Sequence, residues 1–401
     1  MLLNIDNIPY IGQHSTLDFR TEHLIALKIS EYLSDTPVFY IEFFSGPDLF
    51  QSDISEYIDS DTLSQIRSGN IHIAFHNIHE AFHNIGHGIV MFLKKHDIPT
   101  EHAIIITSNH DLRSYTERTC ERQGTVPPRI VLVEVFEIQS TMTLDIFKRH
   151  CGNLDAWIKM THNPSDITHR YLNLNRRQRS HRTMLVTALL ARESHTLGKI
   201  SFGNSDFDEA PRQSEIIDNA PFYWMDHPDV RAQVESKRAE ILKQLPLYLD
   251  TTDLVTNRAA SEISDAMLYK TTGISVVSET TFFTRPCQHG TYSAEPGVFL
   301  SEKAWKPIIH FQPWVMVSQP YTQQAMKAKG YQTFSELWDE SYDYETSDTQ
   351  RMWMIVQLIE KIVAWDNTKF RDILSECQKI SEHNIKLLES KTQAKDFCRE
   401  L

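Results

Sequence analysis

Short apolar runs alternate with helix-length amphipathic segments along this chain. Val38–Phe44 and Ile71–Phe75 read as strands, a helical pattern covers about Glu80–Lys95, and Ala103–Thr107 is a short apolar strand ending in SNHD. Ile130–Phe136 is a further strand, rich in β-branched residues. Past the polar stretch Thr161–Thr168 (THNPSDIT) come a short strand at Arg170–Leu174, a helix at His181–Arg192 and a strand at Lys199–Phe202. Pro246–Leu249, Ile274–Glu279 and Trp314–Val317 read as strands, Ala259–Leu268 and Glu302–Ile309 as helices. The tail is helical: Ile355, Leu358, Ile359, Ile362 and Val363 form one apolar stripe, and Ile373, Leu374, Cys377 and Ile380 another.

Strands separated by helix-length segments imply βαβ units and parallel sheets. The expected fold class is α/β, with two Rossmann-like domains facing a cleft and C-terminal helices. The polar stretch sets the expected boundary, giving domains at 1–165 and 166–345 and bracing helices at 346–401.

A length of 401 residues is ample for two cores, and 41% hydrophobic with 23% charged residues is ordinary for a globular protein. The net charge of −13 argues against wholesale nucleic-acid binding while leaving room for a local basic groove. Five cysteines, scattered and without CxxC spacing, fit reduced thiols rather than a disulfide framework. The first residues, MLLNIDNIPY, lack a basic n-region and a long apolar core, and no run reaches the ~18 apolar residues of a membrane span. The expectation is a cytoplasmic protein with no membrane span.

Three constellations carry candidate chemistry. Arg176, Arg177, Arg179 and Arg182, in LNRRQRSHR, lie where a strand gives way to a helix, with Ser180 as a candidate N-cap. They read as a solvated basic turn, as a clamp for a pyrophosphate or as contacts to nucleic-acid phosphates. Glu279 ends the strand ISVVSE, and Glu302-Lys303 opens a later helix within VFLSEKAWKP. A carboxylate at a strand end suits hydrogen bonding to ribose or sugar hydroxyls, and a lysine at a helix start adds a charge for phosphate. Glu302 also reads as a first-turn acid that simply favours the helix dipole. The acidic-aromatic run Trp338, Asp339, Glu340, Tyr342 and Asp343 fits a sugar ring or a structural loop about equally, with Trp338 and Tyr342 read as structural.

The order VSE (Val277–Glu279), spacer, SEK (Ser301–Lys303), helix and apolar strand resembles the donor-binding half of α1,3-fucosyltransferases, where an FEN segment precedes a TEK segment. SHRTMLVTALL (Ser180–Leu190) is similar to that family's arginine-opened helix, with Arg182 in the arginine's place. LNRRQRSHR and GYQTFSELWDESYD (Gly330–Asp343) resemble segments of uncharacterised phage and marine-bacterial glycosyltransferase-like proteins, the nearest of the likenesses. The resemblance covers roughly Tyr171–Arg351. It departs at Thr280, where the family has Asn, and in the longer insert Thr281–Gly297.

The resemblance implies a GT-B fold and a nucleotide diphosphate sugar as donor substrate, with no further cofactor, no divalent ion at the donor and inversion at the anomeric carbon. Arg182, with Arg176 and Arg177, and Lys303 would meet phosphates, and Glu279 and Glu302 the ribose or sugar. It also implies an acidic general base after a strand of the first half, on the acceptor side: Glu80 first, then Glu42, then Asp111. The acceptor would be a glycan, a small molecule or a modified DNA base.

A rival reading comes from His79-Glu80-Ala81-Phe82-His83, a literal HExxH. On a helix the two histidines would share a face for zinc, with Glu80 as general base of a metallohydrolase. With 19 histidines, H-x₃-H pairs arise readily by chance, and the third metzincin position is Ile89. The DxD triplets Asp59-Ser60-Asp61 and Asp206-Phe207-Asp208 read as incidental in an acidic chain.

Overall fold

The computed structural model describes residues 2–5, 8–11, 28–29, 31–33, 37–42, 58–77, 85–175, 179–203, 220–247, 249, 266–284 and 297–400. Among them the strands are β1 (Leu2–Ile5), β2 (Ile8–Ile11), β3 (Val38–Glu42), β4 (His72–Asn77), β5 (Ala103–Thr107) and β6 (Arg129–Val133). Then follow β7 (His169–Asn175), β8 (Gly198–Phe202), β9 (Thr272–Ser278), β10 (Trp314–Val317) and β11 (Cys398–Glu400). They form two sheets in two compact α/β units, Met1–Thr141 with Ala294–Leu300 and Lys391–Leu401, and Met142–Ser293 with Ser301–Ser390.

The first sheet has the order β1-β2-β3-β4-β5-β6-β11; β2 to β6 run parallel, and β1 and β11 close its edges antiparallel. Its central strands, β3 to β6, are mostly apolar because both faces are covered. Phe39, Ile41, Ile73, Phe75 and Ile105 pack on one side with α1 (Ser60–Arg67) and α2 (Ile85–Lys95). The alternate residues Tyr40, Ala74, Ile104, Ile106 and Val131 pack on the other, with Val135 and Ile138. That division is the period of two expected of a strand. Two further helices belong here: α3 (Leu112–Gln123) follows β5, and the chain passes to the second unit within α4 (Val135–Cys151).

The second sheet is parallel throughout, in the order β10-β9-β7-β8. The chain leaves β7 through α5 (Ser180–Ala191) to β8 on one side, and β9 then returns to the other side of β7. Strand order therefore reverses between β7 and β9. From β9 the chain reaches β10 through α6 (Glu302–Ile309), and the long helices α7 (Asp348–Ala364) and α8 (Asn367–Ser390) follow. Each unit is Rossmann-like, as the alternation of strands and helices predicts. Among the described residues no helix is long and apolar enough to cross a membrane.

Three local expectations are corrected. The run Ile130–Phe136 is one strand in the pattern, but β6 stops at Val133 and α4 begins at Val135. The Glu134 N–H is taken by Phe397 O, while its carbonyl accepts from Glu137 and Ile138 and starts the helix. Apolarity on both sides of that junction hides it from periodicity. Pro246–Leu249 contributes only an isolated antiparallel bridge, Leu247 to Phe202, next to a proline that has no N–H to offer a ladder. Within the helical tail, Cys398–Glu400 forms β11 against β6.

Candidate functional site

In open α/β sheets a ligand sits outside the carboxyl ends of the strands where strand order reverses. In the second unit that place is the carboxyl end of β7 and β9, and most of the described donor candidates are there. The residue after β9, Glu279, is fully buried. Its carboxylate accepts from the Thr280 N–H (2.9 Å), the Ser301 N–H (3.1 Å) and the Ser301 Oγ–H (2.6 Å). Burial pushes its carboxyl above the ordinary range, against the pull of Lys303 and Ser301. Glu279 thus turns its oxygens on the protein itself, joining the end of β9 to the start of α6.

Ser301 is the N-cap of α6, in extended conformation, with its hydroxyl accepting from the Lys303 N–H at 3.4 Å. The Lys303 ammonium donates to Ser301 Oγ (3.0 Å), Glu302 Oε1 (2.8 Å) and, at the limit of reach, Thr280 Oγ1 (3.5 Å). Glu302 and Lys303 are the solvent-reachable members, with side chains 42% and 26% exposed. Desolvation alone would raise the Glu302 carboxyl, but the charge and hydrogen bond of Lys303, aided by Lys306, hold it down to about 2.

The start of α5 meets the same point. The His181 Nε2–H donates to the Glu279 carbonyl (2.9 Å), and the ring stacks on Phe282 at 5.6 Å. The Arg182 guanidinium, also buried, lies 3.4 Å from the carbonyls of Ser278 and Glu279, and Arg179 donates to Thr280 O at 2.9 Å. Burial, with Arg182 and Arg179 adding their charge, drives the His181 imidazole well below its usual range. Below them, Asn173 on β7 donates to Val276 O and Ser278 Oγ, tying the strands at the reversal. The helix itself is buried on every side, so its start is rigidly placed.

Two helix starts, two arginines and a lysine therefore converge on the end of one strand, an arrangement that attracts an anion. The structure brings together Arg182, Glu279, Glu302 and Lys303, while Arg176 and Arg177 lie outside the described residues. Ser180 sits inside the helix; Arg179 is the N-cap residue and makes no side-chain cap. Sequence reasoning passed over Ser301, His181 and Thr280. The serine was legible, since S-E-K at a helix start is an N-cap followed by its first turn.

No family model and no curated protein matches this chain. Among solved structures it aligns with an α,α-trehalose-phosphate synthase (UDP-forming) from Burkholderia vietnamiensis at 9% identity, covering 93% of this chain and 77% of that one, with a TM-score of 0.41. A glycosyltransferase from Rickettsia africae ESF-5 aligns at 9% identity over 94% and 81% of the two chains, with a TM-score of 0.33. An E. coli structure bound with UDP-2-fluoro glucose aligns at 11% identity over 93% and 78%, with a TM-score of 0.36. At such scores the likeness settles neither fold family nor activity.

The acceptor-side candidates are dispersed. Glu80, with His79 and His83 of the HExxH segment, lies outside the described residues. Glu42 ends β3, paired in register with His76. Asp111 follows β5, and its carboxylate accepts from the Val298 N–H at 2.8 Å. Asp59 caps α1, accepting from Thr62, and Asp206 and Asp208 are not among the described residues. In the acidic-aromatic run, Trp338 and Tyr342 are buried, Glu340 accepts from Phe334 N–H, and Asp343 accepts from Gln323 and Gln324 N–H. These are structural roles.

Proposed function

We propose that the protein is a glycosyltransferase of GT-B organisation that moves a sugar from a nucleoside diphosphate to an acceptor hydroxyl. The observation that carries this reading is the convergence of Arg182, Arg179, Lys303 and two helix starts on the strand-order reversal between β7 and β9. A nucleoside diphosphate, whose negative charge grows by one as it leaves the sugar, is the anionic leaving group that such a place suits. Fixed cations stabilise its developing charge without a divalent ion. Lys303 and Arg182 meet the phosphates, Glu302 the ribose or sugar hydroxyls, and Glu279 holds Ser301 and hence the start of α6. Inversion and a fucosyltransferase-like donor follow the resemblance of VSE, SEK and SHR. The acceptor is a glycan, a small molecule or a modified DNA base.

A thermal-shift panel of UDP-, GDP- and ADP-linked sugars, with CMP-linked sugars as a monophosphate control, tests this. A donor at about 100 times its Kd adds ~2.7 kcal/mol to the stability of the folded state, a readily measured rise. The expected outcome is a response to one nucleotide class, with slow release of the nucleoside diphosphate in water. Silence across the whole panel would contradict the assignment.

A further inference from the structure

Just beyond the donor cluster of the second unit, two consecutive phenylalanines have different surroundings. Phe282 is enclosed: its ring stacks on His181 at 5.6 Å, and the Arg351 guanidinium lies 4.3 Å from its centre. Phe283 is only partly buried, with its ring 6.2 Å from His181 and 6.4 Å from Tyr223. The chain that carries it is held firmly. Arg179 donates to Thr280 O, Arg351 to Phe282 O and Ser318 O, and Gln319 to Phe283 O. The Thr284 N–H donates to Asp348 Oδ1 at the start of α7, at 2.8 Å. A partly exposed ring therefore stands on a backbone tied to α5, to the residues after β10 and to α7, and ordering it on binding costs little.

Tyr223 extends the ring surface. It belongs to a short 3-10 helix, Ala220–Trp224, anchored in the core by the fully buried Trp224. Beside it, Phe222 and Met225 are 62% and 64% exposed. This apolar ledge meets the donor cluster at His181, which donates to the same Glu279 carbonyl that Arg182 approaches. A ligand that covers the ledge and reaches those cations is flat and aromatic at one end and anionic at the other.

We propose that Phe283, with Tyr223 beside it, is the platform on which the base of the donor nucleotide stacks; this rests on reading the site as one for a nucleoside diphosphate. A base inserted between two rings needs about 7 Å, two contacts of ~3.5 Å. The two centres are 6.4 Å apart with their planes inclined at 37°, so the base lies against the ledge rather than between its rings. Every base has a π-face, so the platform supplies affinity rather than a choice between bases.

Calorimetric titration tests this with two probes: whichever of UDP, GDP or ADP most stabilises the wild-type chain, and inorganic pyrophosphate, which has no base. Phe283→Ala should weaken the nucleoside diphosphate by about 5- to 150-fold, the range of base–aromatic stacking, and leave pyrophosphate unchanged. Phe283→Trp should restore the nucleoside diphosphate. Unchanged affinity of Phe283→Ala for the nucleoside diphosphate overturns the platform alone, and so does an equal loss for pyrophosphate. A wild type that binds no nucleoside diphosphate overturns the donor reading and the platform with it. Should Phe283→Ala fail to fold, proton NMR of the nucleotide with the wild-type chain decides, because base protons lying over an aromatic ring move upfield on binding. Base protons that do not move upfield overturn the proposal.

Discussion

His181 and His110 stand beyond strand ends of two sheets, one parallel throughout and one parallel from β2 to β6, in opposite company. His181 has arginines beside it, gives its proton to a main-chain carbonyl and is kept neutral by burial and by those charges. His110 has a buried carboxylate at one nitrogen and an exposed arginine at the other. The first environment suits an anion that must be held, while the second sets a carboxylate and a guanidinium on either side of one ring. A shared fold supplies the stage in both units, and the few residues following each strand set the chemistry.

The sharpest way to break this contrast is one substitution made at the edge of the first unit. Lys391 is paired at 2.5 Å with the fully buried Glu137 of α4, so Lys391→Met strips an enclosed carboxylate of that partner. A loss of ~3–5 kcal/mol in chemical denaturation is expected. A loss below 1 kcal/mol would mean that Lys391 is not what compensates the enclosed Glu137 carboxylate.

A smaller effect tests how the second unit keeps its histidines neutral. Burial first, and Lys306 second, hold His310 down to about 3, with its ring stacked 4.2 Å from Tyr269. Its folded value lies below the unfolded 6.5, so as pH falls beneath 6.5 the unfolded chain binds a proton that the folded chain refuses. Stability drains away until the folded value is reached. His310→Phe should remove that share, narrowing the acid sensitivity by up to ~1.4 kcal/mol per pH unit between about pH 6 and pH 4. Parallel stability curves for the two proteins would show that His310 is not buried neutral. Glu279, whose carboxyl is raised, works in the opposite sense near its own range and is common to both proteins, so it cancels in the difference.

Much of the second unit was legible because its signals are local. Trp314–Val317 and Glu302–Ile309 are bounded by turn residues and by an N-cap serine, and they stand where periodicity puts them. The candidate donor residues are legible for the same reason, each lying within three positions of a strand end or helix start. Glu279 was found but not its duty, since nothing in ISVVSE tells whether a carboxylate will face solvent or be enclosed by Ser301, 22 residues on. The first unit hides more. His110 and Glu134 are 24 residues apart in sequence, and their contact, like that of Arg399, exists only once β5, β6 and β11 are laid side by side.

The central claim is that the start of α6 and the start of α5 hold a diphosphate, and calorimetric titration of Lys303→Met tests it most directly. The Lys303–Glu302 pair is partly exposed, so its loss should cost only ~0–1 kcal/mol of stability and leave the fold intact. Affinity for the nucleoside diphosphate chosen by the panel should fall about tenfold or more, equal to ~1.4 kcal/mol per factor of ten, while affinity for the parent nucleoside stays the same. Equal affinity of wild type and Lys303→Met for the diphosphate would contradict the account.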